Sequence, residues 1–383
     1  MSGRGAGPTA TAMIFDGPGR PLRETTVDVP ALGPGELLVA VELATVCGSD
    51  VHTALGHRAE PVPLGLGHEA VGRIVAVGAA DGSAPRVPDA PLVPDAAPLV
   101  PDAAPLAPGD RVVWSIAAHC GACARCRRGM PQKCLTLRKY GHARFVSDWP
   151  LSGGFATHVQ LLAGTPVVRV GEALPAAVLA PAGCGTATAY AALAAAERGL
   201  RGGAGALADC EVLVTGAGLI GLTASAMAAE RGARVTVSDP DPERRALASR
   251  FGAARTLDPR RDAVPPAAFD AVIEVSGAPA AVAAGLDAVA VGGAVVWVGS
   301  VFPADAVPVD AERIVRGLAT IAGVHNYAPA ELAGAVAFLE AHGARYPFAE
   351  LVGEIHPLRG SDAALARAAR QREVRVGIAP ALA

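Results

Sequence analysis

Gly216-Ala-Gly218-Leu-Ile-Gly221 narrows what this chain can fold into more than any other segment. Alone, a Gly-x-Gly-x-x-Gly run is a weak signal. Here it follows the apolar run Val212-Leu-Val214, in a strand expected over Glu211–Thr215, and opens an Ala-rich helix expected over Leu219–Arg231. In that setting the glycines permit a tight turn, the approach of a pyrophosphate to backbone N–H groups at the helix N-terminus, and close helix–strand packing. Asp239, 18 residues past Gly221, ends a second strand, Arg234–Ser238. Its carboxylate can bond ribose hydroxyls and repels a 2′-phosphate, so NAD is favoured over NADP. Arg244 and Arg245, on the next expected helix Pro242–Phe251, either reach a phosphate or form a solvated face.

Strands expected at Arg255–Leu257, Ala271–Val275, Ala294–Val298 and Thr320–Val324 bring the total to six, the pattern of a doubly wound parallel sheet. Before it, from Thr11 to about Leu162, short β-rich runs such as Glu36–Leu43, Ala70–Val77 and Arg111–Ile116 alternate with Gly and Pro. A chain of 383 residues exceeds one ordinary core, and two domains suit it. The expected division is a mostly β domain over 11–183, an α/β domain over 184–325, and a tail, 326–383, that returns to the first. That tail holds a helix over Glu331–Ala341 and a strand-like close over Val374–Ile378. Within the first domain lies an insertion, 84–108, built on a repeat of Val-Pro-Asp-Ala-(Ala)-Pro-Leu from Val87 to Leu106. Its two prolines per unit forbid a helix and leave an extended surface loop with no catalytic part.

Metal chemistry is written in the cysteines. Cys120, Cys123, Cys126 and Cys134, in a lobe over 118–136, can surround one tetrahedral Zn²⁺ with no position left open, which makes the site structural. An iron–sulfur cluster also takes four cysteines, but nothing else here calls for electron transfer. A dispersed group, Cys47-Gly-Ser49-Asp50-Val-His52, Gly67-His68-Glu69 and Gly183-Cys184-Gly185, can supply two thiolates and an imidazole. That set leaves a fourth position for water or substrate, as catalytic zinc requires. Asp50 is placed to accept a bond from a ligating imidazole, and Glu69 to stand behind the metal or exchange onto it.

These constellations, in this order, resemble the zinc-dependent medium-chain dehydrogenase/reductase family, which includes the alcohol dehydrogenases. The resemblance implies a GroES-like catalytic domain and a Rossmann domain with the active site in a cleft between them. It implies a catalytic zinc on Cys47, His68 and Cys184, and a proton relay through Ser49 and His52. It also implies a nicotinamide contact at Thr188 and a pyrophosphate contact at Arg375. The implied reaction oxidises an alcohol to an aldehyde or ketone, with two zinc ions per chain. Pro131-Gln-Lys-Cys134, Lys139-Tyr-Gly-His142 and Leu151-Ser-Gly-Gly-Phe-Ala-Thr-His158 look most like the phosphonate-catabolism-associated alcohol dehydrogenase branch. A phosphonate-bearing alcohol is the substrate that branch implies. In the run Arg138-Lys139-Tyr-Gly-His-Ala-Arg144, Arg138 and Lys139 either contact such a dianion or are solvated loop charges.

Two rivals stand beside this reading. One is a zinc-independent quinone or enoyl reductase on the same scaffold, which has no use for Cys47, His68 and Cys184 together. The other is a zinc-finger binding module, which lacks both an aromatic platform and a finger helix. A net charge of −3 argues against nucleic acid as a partner. The uncharged stretch Ala173–Ala196 is interrupted by Pro175, Pro181, Gly183 and Gly185, which argues against a membrane span. No apolar run follows the N-terminal Arg4, so no signal peptide is expected, and the expected location is cytoplasmic. A homo-oligomer, dimer or tetramer, is expected.

Deleting Val93–Leu106, two whole repeat units, should leave steady-state activity within a few fold. Changing the length of a surface loop costs little, on the order of 0.6 kcal/mol per doubling. Loss of zinc or of activity in the deletion would show that the repeat packs on the site.

Overall fold

The computed structural model describes residues 8–78, 105–200 and 207–382. Most of the insertion expected over 84–108, including the repeat up to residue 104, lies outside the described residues. By internal packing the chain divides into two compact units: Met1–Cys184 with Ala328–Glu340 and Phe348–Ala383, and Gly185–Tyr327 with Ala341–Pro347.

The first unit is built on antiparallel strands. Leu37–Thr45, mostly buried, and Glu69–Val77, buried through its first four residues, pair in antiparallel register, Thr45 opposite Glu69 and Leu37 opposite Val77. Across the sheet the order is Val167–Arg169, Arg111–Trp114, Glu69–Val77, Leu37–Thr45, Arg375–Ala379 and Val352–Pro357, with His158–Leu161 paired to the start of Leu37–Thr45. The last two strands come from the tail. Arg375–Ala379 lies antiparallel to Leu37–Thr45 through Gly377 and Ile378, which sets Arg375 beside the strand end that leads to Cys47. Trp149, Tyr140, Phe155, Leu64 and Leu66 fill the core against this sheet.

The second unit carries six parallel strands in the order Ala253–Leu257, Arg234–Ser238, Glu211–Thr215, Phe269–Glu274, Val289–Trp297 and Thr320–Gly323. This is the doubly wound order, reversing direction at Glu211–Thr215, where the glycine motif begins. Buried on both faces, the central strands read as continuous apolar runs, Val212-Leu-Val214 and Ala271-Val-Ile273. The apolar stretch Ala173–Ala196 breaks at Cys184 between Ala180–Gly183 and the helix Gly185–Gly199, whose alanines are mostly buried. No single helix among the described residues is long and apolar enough to cross a membrane.

Ile273 has no exposed surface and sits on a central strand, whereas Val315 is 71% exposed. Ile273→Ala should lower the unfolding free energy by about 2–5 kcal/mol through transfer and cavity terms. Val315→Ala should stay within about 0.5 kcal/mol. Thermal or denaturant unfolding of the two variants checks this; equal shifts would place Ile273 outside a packed core.

Candidate functional site

Cys47 caps the helix Gly48–Ala54. Its backbone N–H donates to Asp50 Oδ2 at 2.9 Å, while Asp50 Oδ1 accepts from the Gly67 N–H at 3.3 Å and lies 3.5 Å from His68 Nδ1. One buried carboxylate therefore ties together the two segments that carry Cys47 and His68. With Nδ1 turned toward Asp50, His68 Nε2 stands 3.4 Å from the Ser49 hydroxyl. Cys184 arrives from the turn Ala180–Gly183. The ligand atoms of Cys47, His68, Glu69 and Cys184 all lie within 4.8 Å of one another.

Glu69 is held from behind. Arg375 grips it with two bonds, Nε to Oε2 at 2.7 Å and Nη2 to Oε1 at 2.9 Å, and the Thr45 hydroxyl donates to Oε2 at 2.7 Å. Arg375 Nη2 also lies 3.7 Å from the Cys47 sulfur. The residue that the family resemblance links to a pyrophosphate thus has its guanidinium on Glu69.

The donor set asks for a cation. Sharing a hydrogen bond with Cys184, and lying near Arg375, holds the Cys47 thiol well below its ordinary pKa despite burial. The same shared bond and burial drive Cys184 well above. Burial opposes a charge on His68, yet Asp50 and Cys47 together raise its pKa to about 10. One thiol ionises readily and its neighbour resists, and a divalent cation between them cancels that resistance. Two sulfurs and an imidazole this close fit Zn²⁺ with a position to spare.

In the cysteine lobe, Cys123 Sγ lies 3.5 Å from Cys126 and 3.9 Å from Cys134, and Cys134 lies 3.4 Å from Cys120. A tetrahedron of sulfurs about 2.3 Å from a central zinc has edges of about 3.8 Å. The backbone N–H groups of Cys120 and Cys123 donate to Cys134 and Cys120 sulfurs, as suits thiolates. Bonds from the Leu135 and Cys126 backbones bring the Cys123 pKa down to about 6.

Ser49 and His52 lie on one helix, three residues apart. The His52 ring is 5.7 Å from that of His57, and burial lowers its pKa.

In the second unit the glycine motif forms a cradle. A β-carbon at Gly221 would fall 1.9 Å from the Gly216 carbonyl oxygen, whereas over Gly218, which caps the helix Leu219–Glu230, nothing lies within 4 Å. That open space at a helix N-terminus fits a pyrophosphate. Asp239 Oδ2 accepts from the Ala217 N–H at 2.7 Å and Oδ1 from the Asp241 N–H at 2.8 Å, locking the carboxylate beside the cradle. Arg245 donates to the Asp239 carbonyl at 2.7 Å and lies 3.5 Å from Asp258. Arg244 is half-buried on the helix Pro242–Arg250, and Thr188 is buried on the helix Gly185–Gly199.

Arg138 and Lys139 form a short strand paired with Ala117–Ala118 and part ways. Arg138 is exposed and lies over the Trp149 ring at 4.8 Å. Lys139 is half-buried, and burial, with Arg58 nearby, lowers its pKa. Sequence reasoning missed a further cluster. His142 Nδ1 lies 3.1 Å from Glu60 Oε1, which Arg58 Nε also holds at 2.7 Å, and the His142 and His68 rings are 4.9 Å apart. The one signal for it was the Lys139-Tyr-Gly-His142 run.

Residues 33–172 match the alcohol dehydrogenase GroES-like domain, and residues 220–341 match the zinc-binding dehydrogenase domain. An L-threonine 3-dehydrogenase of Streptomyces avermitilis is 30% identical over 315 residues, covering 78% of this chain and 79% of that protein. Among solved structures, an alcohol dehydrogenase from Thermotoga maritima is 28% identical with a TM-score of 0.83, covering 97% of this chain and 100% of its own. A zinc-binding dehydrogenase from Sinorhizobium meliloti bound to NADP shares the fold at 24% identity and a TM-score of 0.79, covering 97% and 100%.

Metal analysis separates the two clusters. Cys47→Ala should lose one of two zinc ions with the fold retained, because its cluster joins segments already bound by Asp50. Cys123→Ala should instead lower thermal stability, since a closed zinc site contributes folding free energy directly. An unchanged zinc count in Cys47→Ala would remove that residue from the ligand set.

Proposed function

The chain belongs to the zinc-dependent medium-chain dehydrogenase family, an oxidoreductase acting on CH–OH groups, and we propose that it oxidises its alcohol with NAD at the Cys47, His68 and Cys184 cluster. The convergence of those three side chains and Glu69 within 4.8 Å carries the proposal. It also speaks against the zinc-independent reductase alternative, which has no need of that cluster.

Zinc held there supplies Lewis acidity to the alcohol oxygen, and a bound nicotinamide accepts the hydride. The chain's own residues do the rest. Asp50 fixes the His68 ring, leaving Nε2 as the ligating nitrogen. Ser49, 3.4 Å from that nitrogen, takes the alcohol proton and passes it to His52, whose lowered pKa keeps the imidazole neutral and ready to accept it. Glu69, pinned by Arg375 and Thr45, sets the electrostatic field behind the cluster. Gly216, Gly218 and Gly221 seat the dinucleotide, Thr188 meets its nicotinamide ring, and Asp239 takes the ribose hydroxyls. Arg245, occupied by Asp258 and the Asp239 carbonyl, is a poor partner for a 2′-phosphate, which supports NAD over NADP. The two compact units serve as catalytic and cofactor domains.

The branch resemblance supports an alcohol carrying a phosphonate. Of the two cations first assigned to it, Lys139 is the better contact, because it is half-buried within electrostatic reach of Cys184 and Glu60, while Arg138 stacks on Trp149. Steady-state kinetics of the zinc-loaded protein test the whole reading. NAD should give the higher kcat/KM, Ser49→Ala should lower kcat by about 10² or more, and Lys139→Ala should raise KM for a hydroxyalkylphosphonate but not for a neutral alcohol of equal length. A higher kcat/KM with NADP would hand the ribose site to Arg244. Equal effects of Lys139→Ala on both alcohols would sink the anionic substrate.

A further inference from the structure

Asp258 follows directly on the strand Ala253–Leu257 and stands next to Asp239. The two strands run parallel with Ser238 opposite Leu257, and the Asp239 N–H donates to the Leu257 carbonyl at 3.1 Å. The turn that begins at Asp258 is closed on itself. Its N–H donates to Asp262 Oδ2 at 2.8 Å, and the Arg261 and Asp262 N–H groups donate to its carbonyl at 2.9 and 2.8 Å. That turn fixes the Asp258 backbone, and only 9% of its side chain is exposed.

Two guanidiniums converge on this carboxylate. Arg260 donates from Nε to Oδ1 at 3.1 Å and from Nη2 to Oδ2 at 3.2 Å, and Arg245 Nη2 lies 3.5 Å from Oδ2. Each also reaches the loop that carries Asp239: Arg245 Nη1 donates to the Asp239 carbonyl at 2.7 Å, and Arg260 Nη2 donates to that of Pro240. Arg260 lies within electrostatic reach of the Asp241 and Asp239 carboxylates as well. Bonds from Arg260 bring the Asp258 pKa down to about 2, so its charge is present at neutral pH. In the proposed reading Asp239 takes the ribose hydroxyls, so both arginines stand where a 2′-phosphate needs a cation.

We propose that Asp258 is a positioning residue for cofactor choice: by tying Arg245 and Arg260 to itself and to the Asp239–Asp241 loop, it withholds both guanidiniums from a 2′-phosphate and so selects NAD over NADP. This rests on the NAD-dependent dehydrogenase reading and adds to it a residue that does not itself touch the ribose. Asp239 repels a 2′-phosphate, and a nearby Arg ordinarily offsets that repulsion. A guanidinium does so through a fork of free donors directed at the phosphate oxygens. Asp258 takes the fork of Arg260 and one arm of Arg245, and the backbone carbonyls of Asp239 and Pro240 hold the rest of the contact.

The test uses the zinc-loaded full chain and reads binding without turnover. Titration calorimetry gives Kd for NAD, NADP, 5′-AMP and 2′,5′-ADP with the parent, Asp258→Ala, Asp258→Asn and Asp258→Glu. The parent should bind NAD more tightly than NADP, and 5′-AMP more tightly than 2′,5′-ADP. Asp258→Ala should tighten NADP and 2′,5′-ADP by about tenfold or more, the worth of one charge-assisted hydrogen bond, while NAD and 5′-AMP stay within a few fold. Asp258→Glu, which keeps a carboxylate, should keep much of the parent's ratio. Adding Arg245→Ala and Arg260→Ala to Asp258→Ala should remove the gain, an effect that mere loosening of the loop does not produce. If Asp258→Ala does not fold, Asp258→Asn decides with the same signs. A parent that binds NAD but whose folded Asp258 variants keep its NADP-to-NAD ratio overturns the proposal alone. So does a gain that survives the loss of both arginines. A parent that prefers NADP overturns both the proposal and the choice of NAD, and a parent that binds neither dinucleotide overturns the dehydrogenase reading and the proposal with it.

Discussion

The ion pair between Arg375 and Glu69 is the interaction on which the candidate site rests. Glu69 has no exposed surface and stands beside two thiols, an arrangement that buries negative charge on negative charge. Arg375 answers it with two short hydrogen bonds and reaches the Cys47 sulfur as well. Removing one partner of such a pair strands a buried charge, at a cost of about 3–5 kcal/mol. The pair also explains why the chain's tail belongs in the first unit's sheet. Strand Arg375–Ala379 must lie along Leu37–Thr45 for its first residue to meet Glu69, which sits opposite Thr45 on the other side of that same strand.

What the sequence disclosed and what it hid divide along one physical line. Features carried by local spacing were legible. The six parallel strands follow from apolar runs bounded by turns, the glycine cradle from three residues in a row of six, and the cysteine lobe from thiols a few positions apart. Features assembled from distant segments were not. Glu60 and His142 are 82 positions apart, and Glu69 and Arg375 are 306 apart. No pattern within a window joins such residues. Element ends failed for the same reason. Val289–Trp297 begins earlier than the expected Ala294 because Gly292 and Gly293 mask a strand that its neighbour Phe269–Glu274 enforces. Val352–Pro357 shows little apolar alternation and is a strand by virtue of pairing with Arg375–Ala379.

The surroundings of the cluster are polar on one side. A wholly apolar wall would discriminate only by size, at about 1–3 kcal/mol per methylene. Here Arg58, Glu60, Lys139 and His142 gather near His68 and Cys184.

The central claim is that Cys47, His68 and Cys184 hold a zinc ion distinct from the one in the cysteine lobe. Zinc X-ray absorption on the purified protein addresses it most directly, because the two sites differ in donor set. Two zinc ions per chain should give a mean shell of about three sulfur and one nitrogen or oxygen neighbours, the average of a two-sulfur open site and a four-sulfur closed one. A single zinc per chain with a shell of sulfur alone would contradict the account, leaving the Cys47 cluster without the metal on which the proposed chemistry depends.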